Sequence, residues 1–322
     1  MTSFGKFEVS GPGALGLLQR VACNNIDRPD GSLVYTQFLN AHGGIESDLT
    51  VCRLAGDRFR IITGTSFLSN DLEWMRSHAP ADGSVEVRDV TDDFACIGMW
   101  GPDARDVLGQ ATGDDLSNDA FPYLTARQLT VAGKPAWAQR VSYIGELGWE
   151  LYLANTDAGA VWDALLELGQ AHGIRPAGYK ALDSLRLEKG YVYWSTDVTP
   201  EDNLLEAGMG FCADMAKGDF IGRDALAKRK ADGLQSRLRT VVLEGNALPA
   251  YGAESVWHDD QIVSRLRSAG HAHTIDRSIG YCYLPLVLAK PGVEVEIELF
   301  GERVPATVSL PIHDPKGTRL KA

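Results

Sequence analysis

The 322-residue sequence has no apolar run near the roughly 18 residues that a membrane-spanning helix requires, and its opening, MTSFGKFEV, lacks the basic and apolar regions of a secretory signal. The chain therefore reads as intracellular and cytoplasmic. The five cysteines, Cys23, Cys52, Cys96, Cys212 and Cys282, include no C-x-x-C pair, which argues against a disulfide framework and a thioredoxin-like motif. They read as reduced core thiols. Cationic excess is missing too: 31 Lys and Arg stand against 43 Asp and Glu, a formal net charge of -12. A field of that sign repels phosphate backbones and anionic bilayers, so neither nucleic acid nor membrane is an expected partner. There is no P-loop, no Ser-His-Asp order and no zinc spacing. His271 and His273 in GHAHT have no third ligand at suitable spacing, and no metal site is expected.

What is present is an ordinary globular composition, 44% hydrophobic and 23% charged, in a chain long enough for two domains. GPGALG, Gly11 to Gly16, satisfies the G-x-G-x-x-G pattern, but loop and strand follow it where a dinucleotide site needs a βαβ unit. Moreover, IGMWGPDARDVLG from Ile97 repeats the strand, Gly-Pro and alanine with Asp103 and Asp106 in place of Gly13 and Gly16. The shared requirement is thus a helix start, with Pro12 and Pro102 predicted at the first helical position. Strand-like and helical segments then interleave without a βαβ rhythm, which predicts an α+β fold. After the charged stretch LAKRKADGLQSRL come six strand-like segments, a small β barrel or sandwich. Two domains are expected, residues 1–230 and 235–322.

Three stretches could carry chemistry. In NAHGGIESDLTV, residues 40 to 51, strand alternation puts Glu46 and Asp48 on one face, either a solvated edge or the wall of a pocket. The glycine pair before them lets the backbone approach another group closely, and Tyr35 lies upstream on the same hairpin. SYIGELGWELY offers Tyr143, Glu146 and Glu150, either pocket groups or exposed turn and strand positions. LRLEKGYVYWSTDVTPEDN supplies Tyr191, Tyr193 and Trp194, with TPEDN a predicted helix start. An aromatic face with carboxylates able to accept N–H bonds suits a flat, amide-bearing heterocycle.

YTQFLNAHGGIESDLTV, YIGELGWELYL, ALDSLRLEKGYVYW, EAGMGF and SAGHAHTIDRSIGYCYLP, in that order, resemble the aminomethyltransferase family, the glycine cleavage T-protein and its relatives. The nearest likeness is to the folate-binding C-terminal half of dimethylglycine and sarcosine dehydrogenases. The resemblance implies a folate-binding α+β body, a β-rich C-terminal domain, and tetrahydrofolate as cofactor. It places Asp48 near the reactive folate amines and Glu150 on the pterin amide edge. Tyr35, Thr63, Gly64, Tyr143 and Trp194 complete the implied cofactor-binding set. The implied activity is capture of a methylene unit from an oxidised N-methyl amine to give 5,10-methylenetetrahydrofolate, with a flavin-dependent oxidase or dehydrogenase chain as partner. A non-catalytic folate-binding module and a tetrahydrofolate-dependent demethylase are the alternatives. Two departures stand out. Leu182 replaces an arginine of the glycine-cleavage members, which favours the dehydrogenase-like branch. The chain also begins with a phrase that family members carry after a longer N-terminal segment, so it reads as N-terminally shortened.

Overall fold

A computed structural model describes residues 4–245 and 249–321. The predicted strand–Gly-Pro–helix echo grows into two related halves. The first runs β1 (Phe4–Ser10), α1 (Ala14–Val21), β2 (Leu33–Leu39), β3 (Ile45–Ala55), β4 (Arg58–Gly64), α2 (Leu68–His78) and β5 (Glu86–Asp89). The second runs β6 (Phe94–Trp100), α3 (Ala104–Thr112), β7 (Ala126–Val131), β8 (Lys134–Gln139), β9 (Gly148–Ala154) and α4 (Asn155–Leu168). The sheets have the orders β2-β3-β4-β1-β5 and β7-β8-β9-β6, so the four shared strands occupy the same places. Because β1 pairs antiparallel with both neighbours, the Gly11–Gly16 loop is outside any parallel βαβ unit.

Each sheet buries one face beneath its own helices, as strand alternation directs. Phe7, Val9, Leu49, Val51, Phe59 and Ile61 pack with Leu17, Leu18 and Met75 of α1 and α2. Trp149, Leu151 and Leu153 pack with Val107, Leu108, Val161 and Leu165 of α3 and α4. Trp149 is fully buried, and truncating it to alanine would cost about 3–5 kcal/mol. The other faces meet one another: Leu33, Cys52 and Ile62 of the first sheet lie against Ala126, Trp137, Cys96 and Tyr152 of the second. All five cysteines are buried and unpaired.

Two helices follow, α5 (Tyr179–Lys189), stopped by left-handed Gly190, and α6 (Arg223–Asp232). The chain then forms a closed barrel of β10 (Ser236–Leu243), β11 (Ser255–His258), β12 (Gln261–Ala272), β13 (Arg277–Pro285), β14 (Glu294–Leu299) and β15 (Glu302–Ser309), in the order β10-β13-β12-β11-β14-β15. The expected α+β body and terminal β barrel are both present. The barrel is fastened to α5 through a buried ion pair: Arg186 Nη1 lies 2.6 Å from Asp197 Oδ2 and its Nη2 donates to Ser268 Oγ of β12.

Two local expectations fail. Pro12 and Pro102 sit two residues before their helices, inside turns closed by Ala14 N to Gly11 O and Ala104 N to Gly101 O, where a fixed φ favours the second turn position. TPEDN forms turns instead of a helix, and Thr199 donates its hydroxyl to Asp202. Among the described residues, no helix is long and apolar enough to cross a membrane, and no group of three or more His, Cys, Asp or Glu side chains is placed to hold a metal.

Candidate active site

The β2–β3 hairpin builds the first part of the site. Register pairs Gln37 with Asp48 and Tyr35 with Thr50, so Tyr35, Gln37 and Asp48 share the face turned away from α1 and α2, while the ladder shifts at Glu46, which acts on Asp71 instead of sharing the Asp48 face as expected. The close approach predicted for the glycine pair occurs at Gly44, where a Cβ would fall 1.7 Å from the carbonyl oxygen of Pro200. Ile45 N donates to Asp202 O beside it, and this contact seats the hairpin tip against the 199–203 turns.

Asp48 Oδ1 accepts from Gln37 Nε2 at 2.8 Å. Burial pushes the Asp48 carboxyl up to about 6, against the pull of the Gln37 amide and the Tyr35 hydroxyl. The residue nevertheless keeps accessible surface, and Oδ2 is neither sealed from solvent nor bound at hydrogen-bond geometry by a described donor. Asp48 therefore sits deep among other side chains while part of its carboxylate stays accessible.

Glu150 occupies β9 of the second half. Tyr152 donates to its Oε2 at 2.7 Å, and burial pushes its carboxyl up to about 7. No described cation pairs with it, and Oε1 is likewise unbound and unsealed. Cross-strand from it, Gln139 is fully buried with neither amide atom hydrogen-bonded.

Tyrosines span the space between the acids. Tyr143 feels the charge of Asp48 and donates its hydroxyl to Val192 O at 2.8 Å. Its ring stacks on Tyr191 at 6.3 Å with a 23° interplanar angle, Tyr191 neighbours Tyr123, and Tyr123 feels Glu150. Tyr143 stands on a turn in which Ser142 Oγ accepts from Ile144 N and Gly145 N. Gly145 has φ +81°, and a Cβ there would meet Lys189 at 2.4 Å.

The geometry thus gathers Tyr35, Asp48 and Tyr143 and joins them through aromatic rings to Glu150. Gly64 ends β4 level with Asp48 and touches Phe67, which packs edge-on against Trp194 at 4.5 Å; Trp194 Nε1 donates to Ile45 O. Those two glycine and tryptophan positions form a rim. Thr63 is turned the other way: its hydroxyl donates to Asp71 of α2 at 2.5 Å, with Phe59 and Ile61 on the same face. Glu146 also leaves the site and pairs with Arg319 at 2.8 Å, near His313, to hold the C-terminal segment. The reading of the sequence missed Gln37, Tyr123 and Tyr152. Gln37 was within reach, since it lies two residues beyond Tyr35 on the same strand face.

A two-sheet body with an acid on each sheet, joined to a six-stranded barrel, defines a two-domain aminomethyltransferase-type fold. Its backbone superposes on the glycine cleavage system aminomethyltransferase T of Bartonella henselae with a TM-score of 0.87, covering 98% of this chain and 85% of that one at 24% identity. Residues 1–217 match the GCVT N-terminal domain, and residues 237–313 match the glycine cleavage T-protein C-terminal barrel domain. The chain belongs to the aminomethyltransferase family. It is 34% identical to the aminomethyltransferase of Halothermothrix orenii over 298 residues, covering 92% of this chain and 82% of that protein. It is also 35% identical to human mitochondrial dimethylglycine dehydrogenase and 38% identical to 4-methylaminobutanoate oxidase (formaldehyde-forming) of Paenarthrobacter nicotinovorans, covering all of this chain in both. It spans 38% and 39% of those two proteins.

Proposed function

We propose that the chain binds tetrahydrofolate between its two sheets and transfers to it a one-carbon unit at the formaldehyde level, giving 5,10-methylenetetrahydrofolate. The observation that carries this reading is the pair of deep-set acids, one on each sheet, each with one oxygen fixed by a protein donor and neither paired with a cation among the described residues. A buried carboxylate without a cation is costly, and a ligand that brings N–H donors or a developing positive charge removes the cost.

The residues suit such a ligand. Glu150 offers Oε1 to the N–H groups of a pterin edge, and the Tyr143–Tyr191 stack gives a flat ring an apolar wall. Bound tetrahydrofolate supplies the amine nitrogens that accept the carbon. Asp48, its orientation set by Gln37, faces positive charge with its free oxygen, and a carboxyl at about 6 can both stay ionised at neutral pH and take up a proton. The donor we favour is an N-methyl amine of the dimethylglycine or sarcosine type, because dehydrogenases named for these amines are among the relatives. Oxidation of the amine, which must precede capture of the carbon, we assign to a flavin-dependent oxidase or dehydrogenase that works with this site.

The test is calorimetric titration of the purified chain with 5-formyltetrahydrofolate. Saturable one-to-one binding is expected. Absence of binding by demonstrably folded protein would overturn the reading.

A further inference from the structure

Behind Asp48, on the opposite face of β3, lies a second acid that the proposed reaction does not use. Asp71 in α2 is 2% exposed and has no described ion-pair partner. Its Oδ1 accepts from Ser47 Oγ at 2.6 Å, its Oδ2 from Thr63 Oγ1 at 2.5 Å, and Asn70 Nδ2 stands 3.4 Å from Oδ1. Ser47 directly precedes Asp48, and Thr63 directly precedes the rim residue Gly64. Alternation sends Ser47 and Asp48 to opposite faces of one strand, so a group that holds Ser47 holds the backbone from which Asp48 projects. This arrangement also explains why Thr63 points to the helix side of β4, away from the face that carries Asp48.

Pinning two hydroxyls does not require a charge. An asparagine could accept from one hydroxyl and donate to the other, without the cost of burying an unpaired anion. The carboxylate therefore calls for a role that only charge can fill, and the nearest reactive group is Asp48, one residue along the strand from the Ser47 tie.

We propose that Asp71 is a positioning residue for Asp48: it fixes the strand that carries Asp48 and acts on its proton through the field of a second negative charge. The proposal rests on the reading of Asp48 as the acid of the transfer site. Groups facing Asp48 are Tyr35 from β2, Tyr143 from the 142–147 turn and Cys212 from the short helical turn at 210–212. Burial raises all three, and they stay neutral at neutral pH. Glu46 on β3 faces Asp71. Burial pushes the Asp71 carboxyl up while the bonds from Ser47, Thr63 and Asn70 favour its ionised form, and as a carboxylate it is the neighbour whose charge raises Asp48, after the larger effect of burial.

The experiment is a carbon-13 NMR titration of the Asp48 carboxyl in the full chain, wild type against Asp71→Asn. The Asp48 midpoint, about 6 in the wild type, is expected to fall by roughly half a pH unit or more once the like charge is gone. An unmoved midpoint overturns the proposal. Should Asp71→Asn not fold, Ser47→Ala carries the test. Loss of that donor lets Asp71 take a proton more readily, so the Asp48 midpoint falls by a smaller amount, and no change is again decisive against coupling. The pH profile of one-carbon transfer by the same variant is expected to shift to lower pH with the carboxyl. A moved midpoint with an unmoved rate profile upholds the coupling and overturns instead the role given to Asp48.

Discussion

The two halves of the N-terminal body share a strand order and differ at one register position. In the first half, Glu8 of β1 faces Arg60 of β4, and the pair closes to 2.6 Å with the guanidinium 4.1 Å from the Phe94 ring centroid. In the second half, 90 residues on, the place of Glu8 is taken by Gly98 and that of Arg60 by Glu150. Gly98 has no charge to give, and a Cβ there would fall 2.1 Å from the Trp100 ring. One repeat neutralises its buried charge within the fold, and the other leaves a carboxylate for something outside it. The same scaffold is finished for stability on one side and left open on the other, as expected where local consistency yields to function.

The comparison is broken most sharply at Asp48, which gives the first half an open acid of its own. Asp48→Asn keeps an acceptor and the hairpin register while losing the charge that meets a developing cation. Transfer is expected to fall by about 10²- to 10⁴-fold, the range of a lost acid–base group, with reduced-folate affinity largely kept. Equal turnover by the variant in a formaldehyde-coupled transfer assay would remove Asp48 from the chemistry. Glu150→Gln acts on the other half and on the other parameter. Loss of charge-assisted bonds worth about 1.5–3 kcal/mol predicts about 10- to 100-fold weaker folate binding by calorimetry. Unchanged affinity would mean that the pterin edge lies elsewhere. Wild-type binding carries the same signature in pH. Because the ligand needs the ionised carboxylate, affinity is full above about pH 7, where Glu150 titrates, and declines below it.

Much of this was legible in the chain. The hairpin at Gly43–Gly44, the face shared by Tyr35 and Asp48, and the run of strands after α6 all follow from alternation and turn residues. The full extent of the repeat was not, because only the β1–α1 and β6–α3 segments keep a readable sequence likeness. Thr63 shows what parity alone could have added: Phe59 and Ile61 mark the helix-facing side of β4, and Thr63 is two residues further on. The family resemblance assigned it to the cofactor, whereas its hydroxyl serves Asp71. Tyr152 was as readable as Gln37, since it lies two residues beyond Glu150 on the same strand. Tyr123 was beyond reach for a different reason: its neighbour Tyr191 follows α5, far along the chain, and no local spacing encodes that meeting.

Stability offers the smallest effect and the cleanest contrast between the halves, since it needs no ligand. Arg60→Gln strands Glu8, although Arg58 at 3.5 Å and Arg88 at 3.9 Å partly compensate, so a loss of about 2 kcal/mol is expected in urea unfolding. Glu150→Gln should do the reverse. The folded-state pKa of Glu150 lies above its ordinary value of 4.5, at about 7, so between these limits the native chain holds a proton that the unfolded chain has released. Native stability therefore falls as pH rises from about 4.5 to about 7, and above that range the ionised, unpaired carboxylate costs the fold its full penalty. Removing it should stabilise the ligand-free chain by roughly 1–3 kcal/mol at pH 8, with the gain gone by about pH 4.5. A Glu150→Gln chain that unfolds at the same urea concentration as wild type at both pH values would show that Glu150 is already satisfied within the protein. The second half would then be as closed as the first, and the argument for a ligand at its sheet would lose its footing.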